Sequence, residues 1–377
     1  MKGSLYISPG PMLKRIRSTP AITGIPSYQC PYQIHQTPRL STKSIPNGAQ
    51  TPLKYYKSRP LSRHINKPFM QHPIHFYSMS ATPKEPTVHD IFEPVTGTWQ
   101  YIVADPSTQA AVIIDPVLNY EPSTQDITTI AADALLSLVQ EKHYKIERII
   151  ETHAHADHLT ASAYLQHQLD QIQGSKPPIG IGKRITQVQN LFGHRYQIGK
   201  QEYEQVFDNL FDDDETFSIG EIKATALHLP GHTPDHLGYK IGDNIFCGDS
   251  LFHADIGTAR CDFPGGDAKS LYNSSRRLLQ FNDKVKIWHG HDYPPNGREP
   301  VSFLSVGEHR RLNRHVMDSV SEEQFVAMRK ERDASLKEPR LIHQSLQVNI
   351  RGGRLPEPTE SGQRLLHLPL KLNGVSW

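Results

Sequence analysis

Acidic residues are missing from the beginning of this 377-residue sequence, because no Asp or Glu precedes Glu85. The same 84 residues contain 12 Lys and Arg and 12 Pro. A basic, acid-free leader is typical of an organellar presequence, so we expect residues 1–84 to be a transit peptide for the mitochondrial matrix. A basic tail without a targeting role is one alternative, because the prolines break a long amphipathic helix. A cytosolic form that starts at Met79 is another.

Cysteines and long apolar runs are also scarce. Cys30, Cys247 and Cys261 are too few and too scattered for a disulfide framework or a thiolate zinc cluster, which favours a reducing compartment. The longest apolar runs, such as residues 110–114, end after about five residues, whereas a membrane-spanning helix needs roughly 18. We therefore expect no membrane insertion.

Basic charge is scarce outside the leader. Without the 12 leader cations, 29 of the 41 Lys and Arg remain to balance 39 acids, so the rest of the chain is acidic although the whole chain carries +2. No basic stripe is present to bind a phosphate backbone, and the composition excludes nucleic-acid binding as the main role.

Short strands and helices are predicted in alternation over residues 85–305, which we expect to form one catalytic domain. Residues 98–104 and 110–115 indicate a hairpin, residues 126–142 have helical spacing, and residues 146–150 indicate a buried strand. Further predicted helices cover residues 159–169 and 267–279, and further predicted strands cover residues 222–229, 236–241, 244–247 and 286–288. The alternation predicts a layered α/β sandwich whose loops converge on a site at one sheet edge.

Residues 306–377 form a charged segment that ends in a tail rich in Pro and Gly. Ser321 and Gln324 have the spacing of a capping box, which predicts a helix through Phe325 and Met328. We expect a C-terminal helical extension packed on the same domain. Periodicity leaves open whether this extension caps the site or only packs beside it.

Histidine is abundant, with 21 residues, and it is the commonest metal ligand in proteins. The run HAHADH at residues 153–158 places four ligand-type side chains between a predicted strand and a predicted helix. Random sequences of this composition would contain such a run in roughly 0.003 of cases. The alternative is a set of surface residues in which Asp157 caps the following helix.

Three later segments have a similar form, because a small residue and then a ligand type follow each strand-like stretch. These segments are Gly231-His232, Gly248-Asp249 and Gly290-His291. Glycine allows tight turns and leaves room for an ion, while the preceding strands can hold the geometry that a metal requires. Taken in order with the HAHADH run, these segments predict a metal site.

The ligand order resembles the metallo-β-lactamase superfamily over about residues 93–293. This resemblance implies a four-layer αββα sandwich. Within the superfamily, the segment GTARCDFPGGD at residues 257–267 and the run HDY at residues 291–293 resemble the persulfide dioxygenases. Residues 307–313 and 339–358 resemble a longer branch of that family, called β-lactamase-hydrolase-like.

The resemblance also implies a ligand set. One Fe(II) per chain would be bound by two imidazoles and one carboxylate, those of His153, His232 and Asp249. A second set would act as catalytic residues around the iron, or bind a second metal as in two-zinc relatives: His155, Asp157, His158 and His291.

The implied reaction is the oxidation of glutathione persulfide with O2 to sulfite and glutathione, a step of sulfide catabolism. Tyr293 would line the path of the substrate sulfur and take part in catalysis, although packing of its ring is an equal alternative. Arg260 and Asp262 would contact the substrate, and a structural salt bridge is the alternative for Arg260.

Two rival functions stay open in the sequence. A two-zinc hydrolase of thioesters or lactones, similar to glyoxalase II, would use Zn(II) to activate water. A binding or scaffolding protein would keep the metal for stability alone. Zinc has no redox chemistry, so the identity of the metal separates the dioxygenase from the hydrolase. For the oligomeric state, a homodimer is the alternative to a monomer.

Overall fold

The computed structural model describes residues 85–374, so the predicted leader, Met79 and Cys30 lie outside the described residues. The strands are β1 (Thr87–Glu93), β2 (Thr98–Ala104), β3 (Ala110–Ile114), β4 (Val117–Glu121), β5 (Asp126–Thr128), β6 (Lys145–Ile150), β7 (Leu159–Thr160), β8 (Ile179–Gly182), β9 (Asn209–Phe211), β10 (Thr216–Ile219), β11 (Ile222–His228), β12 (Leu237–Ile241), β13 (Asn244–Phe246), β14 (Lys286–Trp288) and β15 (Phe303–Ser305). The helices are α1 (Ile130–Lys142), α2 (Ser162–Gln173), α3 (Ile185–Arg195), α4 (Ala268–Leu278), α5 (Val306–Leu312), α6 (Glu322–Ala334) and α7 (Ile342–Asn349).

Two six-stranded sheets form the centre of the described region. The first has the order β1-β2-β3-β6-β8-β9, and its last four strands run parallel. The second has the order β10-β11-β12-β13-β14-β15 and contains one parallel pair, β13 with β14. A third, smaller sheet has the order β5-β4-β7, and its strands are not paired with those of the two larger sheets. Parallel neighbours place their carboxyl ends at the same sheet edge, which is where the ligand-bearing loops begin.

Alternation along β2 shows how the layers form. Trp99, Tyr101 and Val103 pack in a core shared with the second sheet, whereas Ile102 and Ala104 pack in a core shared with α1 and α2. Successive side chains of a strand point to opposite faces, so one buried strand contributes to both cores. Each Val, Leu or Ile buried in these cores contributes about 1.5–3 kcal/mol by removal from water.

The outer face of the second sheet is covered by helices as well. Leu227 and Ile287 from this sheet pack with Leu271 and Leu278 of α4 and with Phe325 of α6. The layers therefore run helix, sheet, sheet, helix, and the predicted α/β sandwich is confirmed.

Several local predictions are also confirmed. The hairpin of β2 and β3 pairs antiparallel as expected, and its turn is bound by Asp105, whose carboxylate accepts from the Ser107 amide at 2.8 Å. The capping box before α6 is present, because Gln324 N donates to Ser321 Oγ at 3.3 Å and Ser321 N donates to Gln324 Oε1 at 2.9 Å. Both signals are local, which explains why the sequence alone reveals them.

Two predicted helix starts are wrong. Residues 126–128 form the edge strand β5 before α1, and residues 159–160 form β7 before α2. Both strands pair with β4, so a tertiary contact outweighs the helical spacing at these positions. Because β7 intervenes, Ala161 occupies the N-cap position of α2 and Asp157 does not cap it.

The C-terminal extension contacts both outer layers. α6 packs against α4, and α7 packs against β7 and α3. Within residues 85–374, no helix has the length and apolar character needed to cross a lipid bilayer.

Candidate metal centre

The predicted ligands are delivered by loops that follow strands of both sheets. His153 comes three residues after β6, and His232 comes four residues after β11. Asp249 and His291 each come three residues after β13 and β14, which are neighbouring parallel strands. The sheets therefore bring residues that are distant in sequence to one edge.

His153, His232 and Asp249 gather at this edge, with one ligand atom of each within 4.8 Å of the others. The rings of His153 and His232 have centroids 5.1 Å apart, and His232 Nε2 lies 3.6 Å from Asp249 Oδ2. All three side chains are buried. The structure thus places the three predicted ligands around a common centre.

Hydrogen bonds set the orientation of His153. The Thr152 hydroxyl donates its only proton to Asp115 Oδ2 at 2.8 Å, so it accepts from His153 Nδ1 at 3.0 Å. His153 Nε2 then carries a lone pair, and no hydrogen-bond partner for it occurs among the described residues. Burial, with the neighbouring histidine rings, holds the pKa of His153 well below its usual value, which keeps the ring neutral.

His232 and Asp249 are oriented in a similar way. His232 Nδ1 donates to the backbone carbonyl of Arg260 at 2.7 Å, which leaves Nε2 as the free acceptor. The backbone N–H of Asp249 donates to His236 Nε2 at 2.9 Å. Asp249 Oδ1 has no hydrogen-bond partner in the described part of the chain.

This donor set fits a transition-metal ion. A buried polar atom without a partner costs roughly 1–3 kcal/mol, and His153 Nε2 and Asp249 Oδ1 are both such atoms. Two imidazole nitrogens and one carboxylate oxygen suit Fe(II) or Zn(II), with positions left for other ligands. A bound cation would satisfy these atoms together.

A second cluster lies beside the first and consists of His155, Asp157 and His158, again within 4.8 Å. His158 Nδ1 donates to the Leu159 carbonyl at 3.1 Å, and its Nε2 has no partner among residues 85–374. His291 Nε2 lies 3.2 Å from Asp157 Oδ2 and 3.4 Å from Asp249 Oδ1. The structure therefore brings all four residues of the second predicted set to the same edge.

His155 also faces two other carboxylates. Its Nε2 lies 3.1 Å from Asp115 Oδ1 and 3.4 Å from Glu151 Oε2, and all three side chains are buried. Burial alone would lower the pKa of His155, but the two carboxylates outweigh burial and raise it well above its usual value. In this arrangement His155 is an ion-pair partner of Asp115 and Glu151.

The predicted substrate residues lie at the rim. The Arg260 guanidinium pairs with the Asp262 carboxylate through Nε and Nη2, and Nη1 donates to the Lys337 carbonyl at 2.8 Å. Tyr293 stacks on His291 with centroids 5.5 Å apart and planes 11° apart, and it is 51% exposed. The salt bridge that we considered for Arg260 is present, while about half of the Tyr293 surface is exposed to solvent.

Cys261, between Arg260 and Asp262, is buried. Burial raises the pKa of its thiol to about 12, so the thiol stays protonated near neutral pH. This is the behaviour of a small apolar side chain rather than of a nucleophile.

Four residues that support the centre were missed by sequence reasoning. Asp115, Thr152, His236 and Asn349 are all buried and all bond to the ligand loops. Asp115 is the last residue of the strand predicted over residues 110–115, so the strand-end signal was available for it. His236 and Asn349 carry no local signal, because their partners lie 13 and about 190 residues away in sequence.

An arginine clamp connects the Asp249 loop to the His291 loop. Arg298 Nη1 and Nη2 donate to the Asp292 carboxylate at 2.7 and 2.8 Å, and Nε donates to Asp255 Oδ2 at 2.9 Å. Asp292 is buried and adjacent to His291. Loss of Arg298 would therefore leave a buried carboxylate without its positively charged partner.

Arg298→Ala is therefore expected to lower the free energy of unfolding by about 1.5–3 kcal/mol, the range for hydrogen bonds to charged groups. The matched control is Arg310→Ala, because Arg310 also bridges two aspartates, Asp283 and Asp318, but at the exposed surface. Urea denaturation should give a much smaller loss for the control. Equal losses in the two variants would contradict a special role for the clamp.

Comparison with known proteins gives a consistent result. The family model described as "Metallo-beta-lactamase superfamily" matches residues 94–291. A "Beta-lactamase hydrolase-like protein" of Xylella fastidiosa is 41% identical over 299 residues, which cover 78% of this chain and 67% of that protein. "Persulfide dioxygenase ETHE1, mitochondrial" of Homo sapiens is 28% identical over 269 residues, which cover 71% of this chain and 88% of that protein.

Among solved structures, ETHE1 from Myxococcus xanthus has a TM-score of 0.56 and 27% identity, and the match covers 71% of this chain and all of that chain. The family match extends over more than half of the sequence and includes every predicted ligand. The chain belongs to the metallo-β-lactamase superfamily.

Proposed function

We propose that this chain is a persulfide dioxygenase that oxidises glutathione persulfide with O2 to sulfite and glutathione. The observation that carries the proposal is the cluster of His153, His232 and Asp249, two histidines and one carboxylate around a common centre. This is the facial ligand set of non-haem Fe(II) oxygenases. The similarity to a named persulfide dioxygenase supports the substrate class.

The orientation of His155 supports a single iron at this centre. Its Nε2 faces Asp115 and Glu151, and the residue falls outside the cluster of His153, His232 and Asp249, although its Nδ1 has no hydrogen-bond partner among the described residues. A third histidine ligand would move the donor set away from the two-histidine, one-carboxylate pattern. We therefore propose one Fe(II) per chain, bound by His153, His232 and Asp249, which when bound supplies the redox chemistry that O2 requires.

The reaction balances with water as the third reactant. Glutathione persulfide, O2 and water yield glutathione, sulfite and protons, so the outer sulfur is oxidised while O2 is reduced. The S–S bond breaks, and the inner sulfur leaves as the thiol of glutathione. The site must therefore hold an anionic sulfur, admit O2 and handle protons.

The remaining predicted residues fit those tasks. Asp157, next to His291, is kept ionised, because the His291 and His158 rings outweigh burial and hold the pKa of Asp157 below its usual range. The proposed role of His291 is to hold and transfer the protons that the reaction releases, while the ionised Asp157 carboxylate beside it orients the ring. Tyr293, which stacks on His291 and is about half exposed, would guide the substrate to the centre.

Arg260 and Asp262 are proposed to contact the substrate at the rim. Their mutual ion pair fixes the guanidinium, and side-chain exposures of 20% and 37% leave both groups accessible to a ligand. The Arg260 carbonyl also holds His232, so this segment connects the rim with a metal ligand.

A two-zinc thioester or lactone hydrolase is the second candidate. The observation that favours it is the cluster of His155, Asp157 and His158 directly beside the first, which offers a second set of donors. The name of the Xylella fastidiosa relative, which includes the word hydrolase, also favours this candidate.

The test is metal reconstitution of one protein sample in two ways. The full chain, stripped of metal, is loaded with Fe(II) or with Zn(II) and assayed for oxygen uptake with glutathione persulfide and for thioester cleavage. The dioxygenase proposal expects oxygen uptake only with iron and only with the persulfide, since zinc has no redox chemistry. Thioester cleavage by the zinc form, without oxygen uptake by the iron form, would replace it with the hydrolase.

We also propose that the protein acts in the mitochondrial matrix. The acid-free leader of residues 1–84 supports this location, and so does the human relative, which is named as a mitochondrial protein. Imaging of the full chain with a C-terminal tag would test it, with a form that starts at Met79 as the control that should stay in the cytosol.

A further inference from the structure

The C-terminal helix α7 places a buried amide directly against the HAHADH run. Asn349 Nδ2 donates to the backbone carbonyls of His155 and His158, both at 2.8 Å. Asn349 Oδ1 accepts from the Thr160 amide at 2.9 Å. One side chain from the end of the extension therefore binds three backbone groups of the loop that carries the first metal ligand.

The chemistry of these three bonds is specific for an amide. Carbonyl oxygens only accept, so both must face the NH2 group, and the Thr160 N–H only donates, so it must face the oxygen. A carboxylate of the same shape cannot donate to either carbonyl. Asn349 is also buried, with 3% of its surface exposed, so water cannot easily replace the lost partners.

The helix that carries Asn349 is itself firmly held. Leu346 and Ile350 lie in a core that includes Ile181 and Val188 from the first sheet and α3. Directly after the helix, Arg351 Nη2 donates to Glu202 Oε2 at 2.6 Å. Asn349 is thus presented from a fixed position rather than from a mobile tail.

The bonds of Asn349 continue toward the metal centre. Thr160 Oγ1 donates to the Glu151 carboxylate, and Glu151 in turn lies 3.4 Å from His155. The loop between Glu151 and Thr160 is therefore held at its far end by the C-terminal extension. His153 lies inside this loop, so its position depends on both ends.

We propose that Asn349 is a positioning residue of the metal centre, which makes residues 306–377 an integral part of the site rather than a separate packing annex. The inference rests on the metal bound by His153, His232 and Asp249 but not on the reaction catalysed there. Groups that hold ligands in place typically change metal affinity by about 10–100-fold when removed.

The test compares Asn349→Asp and Asn349→Ser with Ser345→Ala in the full chain. Ser345 is buried one turn earlier on α7, and among residues 85–374 its hydroxyl donates only to the carbonyl of Leu341, the N-cap of the same helix, at 2.8 Å. The dissociation constants for Zn(II) and Fe(II) are measured by chelator competition, and the visible spectrum of the Co(II) form reports the coordination geometry.

Both Asn349 variants are expected to bind metal about 10–100-fold more weakly and to alter the Co(II) spectrum, while Ser345→Ala stays close to wild type. Hydrogen exchange of the metal-free proteins gives a second readout, in which the Thr160 amide should lose protection only in the Asn349 variants. Affinity and spectra equal to those of Ser345→Ala would overturn the inference. If the wild-type protein binds metal but shows no oxygen uptake, that result would contradict the proposed dioxygenase activity and leave the positioning role of Asn349 intact.

Discussion

His232→Ala is expected to remove bound metal and turnover together while most of the fold is retained. His232 supplies one of three clustered donors, and its Nε2 is directed at the centre because Nδ1 is bonded to the Arg260 carbonyl. Loss of a ligand should weaken metal binding by more than the roughly 100-fold upper range for residues that only orient ligands. Metal analysis of purified protein, with oxygen uptake on the same samples, measures both effects.

The control is His228→Ala. His228 ends β11, only four residues before His232, but its Nδ1 lies 3.7 Å from Asp213 at the surface side of the strand. This variant should keep both metal and turnover. Circular dichroism should show the same secondary structure in the two variants. A His232→Ala protein with a full equivalent of metal would refute the proposed ligand set.

Gly290→Ala is expected to have an effect of similar size through packing. A Cβ at Gly290 would lie 2.5 Å from Asp249 Oδ1 and 2.9 Å from the Gly248 carbonyl carbon. The backbone cannot move away freely, since Gly290 N donates to the Gly248 carbonyl at 3.0 Å and the Gly290 carbonyl accepts from Trp99 N at 2.9 Å. The Asp249 carboxylate must then shift, so we expect loss of metal.

The same overpacking should reduce stability by about 1–3 kcal/mol. Gly199→Ala is the control, because Gly199 has an extended backbone with φ −62° and its added methyl group would meet only the flexible Gln201 side chain. The metal content and the urea denaturation midpoint are measured for both variants, and only Gly290→Ala should lose metal and stability. Wild-type metal content in Gly290→Ala would contradict the proposed role of Asp249 as a metal ligand packed against Gly290.

Local sequence signals predicted local structure well. The Ser321 capping box, the hairpin around Asp105 and the strands that precede the ligands all depend on residues close in sequence. The buried strand predicted at residues 146–150 is also present as β6, and its three isoleucines, Ile146, Ile149 and Ile150, are buried. The failures at residues 126–128 and 159–160 occur where a short strand pairs with β4, a contact that no local pattern contains.

For the supporting residues of the site as well, the sequence revealed only what a local signal could reveal. Asp115 could have been suspected at the end of its strand, whereas His236 and Asn349 could not. Their importance comes from single hydrogen bonds to loops far away in the chain. A lone His or Asn in an apolar context has many structural roles, so its type alone predicts no function.

The sequence by itself indicated a metal site at the ends of several strands, and its resemblance to the superfamily implied His153, His232 and Asp249 as the ligands. Only the tertiary structure decided how the neighbouring groups are used. It paired His155 with Asp115 and Glu151, and it brought Asn349 of the C-terminal extension onto the ligand loop. The physical reason is that ligand chemistry resides in single side chains, whereas orientation comes from hydrogen bonds between segments that only folding brings together.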